Sequence, residues 1–190
     1  MAKAIFFLTD GFEETEAVTT IDILRRGGVE VVTVSLTNKE TVIGKHNIIV
    51  HADVIFDDIE DRDSFDMLVI PGGTLDYTGH KGLLELVRKY DSNKKKLAAI
   101  CAAPAVFGKA GILKGKKAVC YPGVESWLTG AIMGNDIVET DGHITTAKGP
   151  AVSVFFALRL LEIIKGKEIA DKIGQDFLVP LISNCGIKGS

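Results

Sequence analysis

Three short stretches carry the residues best equipped for chemistry: Gly11-Phe12-Glu13-Glu14-Thr15-Glu16, Pro71-Gly72-Gly73, and Leu97-Ala98-Ala99-Ile100-Cys101-Ala102-Ala103-Pro104. In the last, a short apolar run stops at a cysteine, and small residues and a proline follow. The run predicts a buried strand, and Ala103 onward predicts a helix with Pro104 in its first turn, where a missing N–H costs nothing. Cys101 then occupies a sharp strand-to-helix turn, the nucleophile elbow that lifts a reactive side chain above a sheet. A thiol there faces orphan helix N–H groups, which favour its thiolate. The plainer alternative is a buried cysteine acting as a small hydrophobe.

Glu13, Glu14 and Glu16 surround the start of the next-to-first element, a predicted helix. Acids at a helix N-terminus complement its dipole, which accounts for Glu13 and Glu14. Glu16 lies nearest the apolar stripe. A carboxyl driven inward there is desolvated, its pKa rises, and it can hold or exchange a proton with a thiol. Pro71-Gly72-Gly73 is either simple punctuation after a strand or a set of backbone amides that an oxyanion can approach closely. His80 is expected to begin a helix, and His143 to sit exposed in a hairpin turn. His46 and His51 belong to a small hairpin, so no Cys–His dyad is visible near Cys101. Tyr121 ends a short strand pointing at the same region, as a pocket wall or hydrogen-bond donor. Arg25 and Arg26 suit the C-terminal end of the first helix. Cys120 and Cys185 are expected to be inert buried thiols.

The elements that must position these groups follow from apolar periodicity. Strands are expected over 3–9, 29–36, 65–70, 97–100, 118–121, 136–139 and 144–147. Helices are expected over 15–26, 80–90, 103–110, 150–164 and 168–174, with a small hairpin over 41–51 and an acidic surface segment over 57–64. The tail, 176–190, is too apolar to remain free and is expected to pack on its own domain or a partner. Alternating β and α units predict one domain over 1–190: a three-layer, doubly wound α/β sandwich with a mostly parallel sheet. Ligands in such folds bind beyond the carboxyl ends of the strands, where all three suspicious stretches fall.

Composition narrows the function classes. With 22 basic and 25 acidic side chains the formal charge is −3, which offers no electrostatic case for nucleic acid or an anionic membrane. Three cysteines without metal-ligand spacing predict no metal site and a reducing, cytoplasmic setting. No leader or membrane span is expected.

The stretch from Gly11 to Asp22, with Pro71-Gly72-Gly73, Ala98 to Pro104 and Lys148-Gly149-Pro150, closely resembles the ThiJ/PfpI superfamily. Within it the chain is similar to the branch of the human parkinsonism-associated protein deglycase and bacterial YajL. The resemblance runs through most of the chain in the same order. It implies a flavodoxin-like fold related to class I glutamine amidotransferase domains, a homodimer, and no cofactor. It also implies that Cys101 is the reactive, oxidisable thiol and that Glu16 is its protonated partner. Gly73 and Ala102 would supply amides beside the sulfur, with Gly72 in the same oxyanion loop. Two departures stand out. Ala102 replaces the His that follows the cysteine in peptidase-like members, which disfavours peptidase or amidase activity. Tyr121-Pro122 stands where the deglycase branch has His-Pro, and His46 stands for a pocket-facing Arg while Arg26 is retained, so Tyr121, Pro122, Arg26 and His46 are candidate pocket residues.

The expected function is therefore a stress-response protein whose Cys101 attacks small reactive aldehydes or glycated groups, in the manner of a cofactor-independent glyoxalase or deglycase. The alternative is a redox-regulated chaperone or oxidative-stress sensor that binds unfolded client proteins with little turnover. An older family label, thiamine biosynthesis, ranks below both.

Overall fold

The computed structural model describes residues 1–182; Cys185 and the last part of the apolar tail lie outside them. Strand β1 (Lys3–Leu8) is an unbroken apolar run because it is buried on both faces. Helix α1 (Glu14–Arg26) leads to β2 (Glu30–Ser35), which lies parallel to β1 with Lys3 opposite Glu30 and Leu8 opposite Ser35. The hairpin β3 (Thr41–Ile43) and β4 (Ile49–His51) is antiparallel, and β5 (Val54–Ile55) adds an edge beside β2. The chain then forms β6 (Met67–Ile70), α2 (Lys81–Ser92), β7 (Lys96–Ile100) and α3 (Pro104–Ala110). Short strands β8 (Lys117–Ala118) and β9 (Ile132–Met133) pair with each other. A second hairpin, β10 (Val138–Asp141) and β11 (Ile144–Ala147), precedes α4 (Ser153–Lys165), α5 (Lys167–Asp176) and α6 (Val179–Ile182).

The seven-stranded sheet has the order β10-β11-β7-β6-β1-β2-β5, and only the β10–β11 pair is antiparallel. Helix α4 packs on α1 and α5, while α2 packs on α3, which gives the expected three layers. Phe6, Val69, Ile70, Ala98 and Ala99 are wholly buried in the centre. Strands β1, β6 and β7 are neighbours and parallel, so their C-terminal ends deliver Thr9 to Phe12, Pro71 to Gly73 and Cys101 to one edge.

The structure departs from the sequence expectations in a few places. The strand expected over 118–121 is only two residues long, because Val119 N–H donates to the Thr146 hydroxyl (2.9 Å) instead of to a strand carbonyl. The two-residue β5 is too short to leave a periodic signal. His143 is not exposed: its ring folds under the hairpin and is buried, with Nε2 2.8 Å from Asp91 Oδ1 near the end of α2. His80 does begin a helix, its Nδ1 accepting the Leu83 N–H at 3.0 Å.

Candidate active site

Cys101 stands in the left-handed region at φ +65°, where side chains other than Asn, Asp or Gly are rare. The turn is held on three sides. Cys101 N–H donates to the Ala147 carbonyl (2.9 Å), its own carbonyl accepts from Tyr121 N–H (2.9 Å), and Ala103 N–H closes on Ile100 O (3.0 Å). Strain of this kind persists only where surrounding structure over-determines it, and it clusters at functional sites. Pro104 opens α3 from its first position, as the sequence indicates.

Glu16 comes from the first turn of α1 and is fully buried. Glu13 caps that helix by accepting the Glu16 N–H at 2.7 Å, and Glu16 Oε2 accepts the Gly72 N–H at 2.7 Å. The carboxyl faces the Cys101 sulfur as a hydrogen-bonding partner, and the amides of Ala102 and Gly73 converge on that sulfur. Glu16 Oε1 closes no regular hydrogen bond with the described residues, which leaves it acceptor capacity. Only glycine fits at position 72. A Cβ there would lie 2.6 Å from Cys101 Cβ, 2.8 Å from Glu16 Oε2 and 2.9 Å from Ala102 N. Gly73 has φ +99° and is pressed against Gly11 O and Glu13 N.

The electrostatics of Glu16 and Cys101 are coupled. Burial raises the Glu16 carboxyl to about 7; the Gly72 amide, the Cys101 thiol and Lys45 oppose that rise, and Glu13 adds to it. Burial, followed by the Glu16 charge and hydrogen bond, pushes the Cys101 thiol up to about 12, against the pull of the Ala102 and Gly73 amides. The elbow alone does not make a free thiolate. The short helix behind it is outweighed by desolvation and by the neighbouring carboxylate. Once Glu16 holds a proton its repulsion of the thiolate is gone and its O–H becomes a donor, so the hydrogen bond now favours the thiolate. The two groups form a coupled pair that holds two protons below about 7 and shares one above it.

The structure brings Cys101, Glu16, Gly73 and Ala102 together. Gly72 does not belong with the oxyanion amides, because its N–H is given to Glu16. Tyr121 is tied to Cys101 through its backbone, while its half-exposed ring lies over Gly149, where an added Cβ would sit 3.1 Å from Tyr121 Cδ2. Pro122 follows it at the surface. Arg26 does not line this pocket within one chain. It sits at the far end of α1, about 15 Å along the helix from Glu16, bonded to Asp22 and stacked over Phe177. His46 is exposed, and its Nδ1 lies 3.0 Å from Glu14 Oε2.

Glu14 has a role the sequence hid. Its buried carboxylate ties the β3–β4 turn to α1 by accepting from the N–H groups of His46 (2.6 Å) and Ile48 (3.5 Å). Gly44 leaves room for it. These partners are more than 30 residues away, so no local pattern announces them. Ligand atoms of Glu13, Glu14 and His46 lie within 4.8 Å of one another. Both Glu14 oxygens are already committed to the turn, however, and the cluster needs no cation to account for it.

Fold and site together place the molecule among α/β proteins with an acid-backed cysteine on a strand-to-helix elbow. The chain belongs to the DJ-1/PfpI family, whose model matches residues 2–163. It is 40% identical over 178 residues to protein DJ-1 homolog B of Arabidopsis thaliana, covering 90% of this chain and 40% of that protein. Against protein dj-1beta of Drosophila melanogaster the identity is 32% over 182 residues, covering 93% and 97%. The solved structure of oxidized Toxoplasma gondii DJ-1 superposes with a TM-score of 0.89 at 34% identity, covering 94% of this chain and 98% of that one. The chain spans less than half the length of the two plant relatives it matches. Among the described residues, no helix is long and apolar enough to cross a membrane.

Proposed function

We propose that this DJ-1-like protein is a cofactor-independent, cysteine-dependent stress-response enzyme acting on small reactive carbonyls, of glyoxalase or deglycase type. The observation that carries the reading is the shared-proton pair of Glu16 and Cys101 beneath two convergent amides. A general base works best when its pKa lies near the working pH, and Glu16 at about 7 meets that condition. The Glu16 carboxylate takes the thiol proton as sulfur attacks the aldehyde carbon of an α-oxoaldehyde. The developing oxyanion is met by the Gly73 and Ala102 amides, and Glu16 returns the proton to give a hemithioacetal. Glu16 then moves the carbinol C–H proton to the neighbouring carbon through an enediol, which leaves a thioester. Water hydrolyses the thioester to the hydroxy acid and frees Cys101. At 8% exposure Cys101 admits only a small reactant.

The second reading, a redox sensor or redox-regulated chaperone, is supported by the strained, amide-lined cysteine and by the oxidized state that names the Toxoplasma relative. In that reading Cys101 oxidation alters contacts with clients. Steady-state consumption of methylglyoxal separates the two. The enzyme reading expects turnover that Cys101→Ser abolishes and Glu16→Gln lowers at least about tenfold. Oxidation of Cys101 without turnover by wild type rejects it in favour of the sensor.

The working form we propose is a cytoplasmic homodimer. Val18 on α1 and Ile43, Ile48 and Ile49 on the neighbouring hairpin are all exposed, an apolar group that a second copy would cover.

A further inference from the structure

Cys120 was expected to be inert, yet the fold brings its backbone alongside that of the reactive cysteine. After β8 the chain runs alongside β11 and past the end of β7. Lys117 N–H bonds the Asp141 carboxylate, Val119 N–H bonds Thr146 Oγ1, and Tyr121 N–H bonds the Cys101 carbonyl at 2.9 Å. The peptide group joining Cys120 to Tyr121 is thus hydrogen-bonded to the one joining Cys101 to Ala102. A single bond of this kind holds the Cα atoms of Cys101 and Cys120 roughly 5–7 Å apart, about the Cα separation that a disulfide spans. Both thiols are reduced and buried. They differ in surroundings. Burial raises both thiols, and a neighbouring carboxylate adds to the rise at each, Glu16 at Cys101 and Glu125 at Cys120; two backbone amides at the sulfur, those of Ala102 and Gly73, act on Cys101 alone. The amides that can hold developing negative charge, on a turn strained into the left-handed region, make Cys101 the first target of a hydroperoxide, with Cys120 in reserve.

We propose that Cys120 is the resolving thiol for oxidised Cys101. The inference rests on the reading of Cys101 as the reactive thiol. A hydroperoxide transfers one oxygen to Cys101 to give the sulfenic acid and an alcohol or water. The Cys120 thiol then attacks that sulfur, the S–O bond breaks, and water leaves as the Cys101–Cys120 disulfide forms. Closing the bond requires Cys101 Sγ to turn away from Glu16. The disulfide would store the site in a form that thiols can reduce, in competition with irreversible oxidation to the sulfinic acid.

The full chain is treated with one equivalent of hydrogen peroxide and analysed by non-reducing peptide mapping and intact mass. Wild type should lose two hydrogens and yield a Cys101–Cys120 linked peptide that dithiothreitol removes. In Cys120→Ser and Cys120→Ala, two variants that guard against a folding defect in either one, sulfinic acid at Cys101 should rise at least about threefold. Equal sulfinic yields in wild type and both folded variants, or a link from Cys101 to Cys185, would overturn the role of Cys120. Failure of Cys101 to oxidise at all would instead remove the reactive-thiol reading beneath it.

Discussion

Replacing Glu16 by Gln should make the protein more stable at neutral pH and remove the proton carrier beside Cys101. The carboxyl rises from 4.5 to about 7 on folding, chiefly through burial. Below 4.5 it is protonated in both the folded and unfolded chains, so it imposes no pH-dependent cost. Between 4.5 and 7 the unfolded chain releases the proton while the folded one retains it, so stability falls as pH rises through that window. Above 7 the loss is complete and amounts to about 3 kcal/mol. A Gln side chain keeps an oxygen for the Gly72 N–H and carries no titrating proton. Urea unfolding at pH 8 should therefore favour Glu16→Gln over wild type by about 2–3 kcal/mol, and the gap should shrink towards zero near pH 4.5. The matching kinetic readout is alkylation of Cys101, which in wild type should show an inflection near 7 that the variant lacks. A constant stability difference between pH 4.5 and 8, or an unchanged alkylation profile, would refute Glu16 as the holder of the shared proton.

Gly72→Ala should destabilise the fold by about 1–3 kcal/mol, the usual range for overpacking, because its Cβ would meet Cys101, Glu16 and the Ala102 backbone within 3 Å; chemical denaturation combined with Cys101 alkylation checks both consequences, and a neutral result would mean the loop moves freely. Ile49→Asp places a charge in the exposed apolar group on the hairpin, and should shift the sedimentation coefficient from that of the proposed dimer to that of a monomer without loss of helical circular dichroism; a variant that sediments as wild type does would remove this face from the proposed interface.

Much of this site is legible in the linear chain because its determinants are local. The run Leu97 to Ile100 can only be a buried strand, Pro104 can only open a helix, and the spacing of Ala17, Ile23 and Leu24 turns Glu16 inward. The parallel sheet then brings the three strand ends together. What stayed hidden depends on distant partners. The direction of the Gly72 N–H follows from where Glu16 ends up, 56 residues away. His143 looks like a turn residue until Asp91 is seen beneath it, 52 residues away. Arg26 matches a family position, but its place in one chain is set by helix length, which carries it away from Glu16. At the thiol, helix-end attraction can be read from sequence, whereas the burial and the Glu16 charge that oppose it depend on the fold.

The anchoring of the elbow has a consequence for how its chemistry could be timed. Cys101 is pinned by Ala147 on one side and Tyr121 on the other, both from the part of the chain that follows the elbow. The Cys101 turn is thus made by the chain up to α3 and locked by the chain that follows. Any fluctuation that peels β11 or the segment after β8 from the sheet releases the left-handed turn and exposes the sulfur. Hydrogen exchange at the Cys101 amide and its reaction with bulky thiol reagents should then share one opening free energy, below that of global unfolding. Access to the thiol becomes a measure of how firmly the later part of the chain holds the elbow.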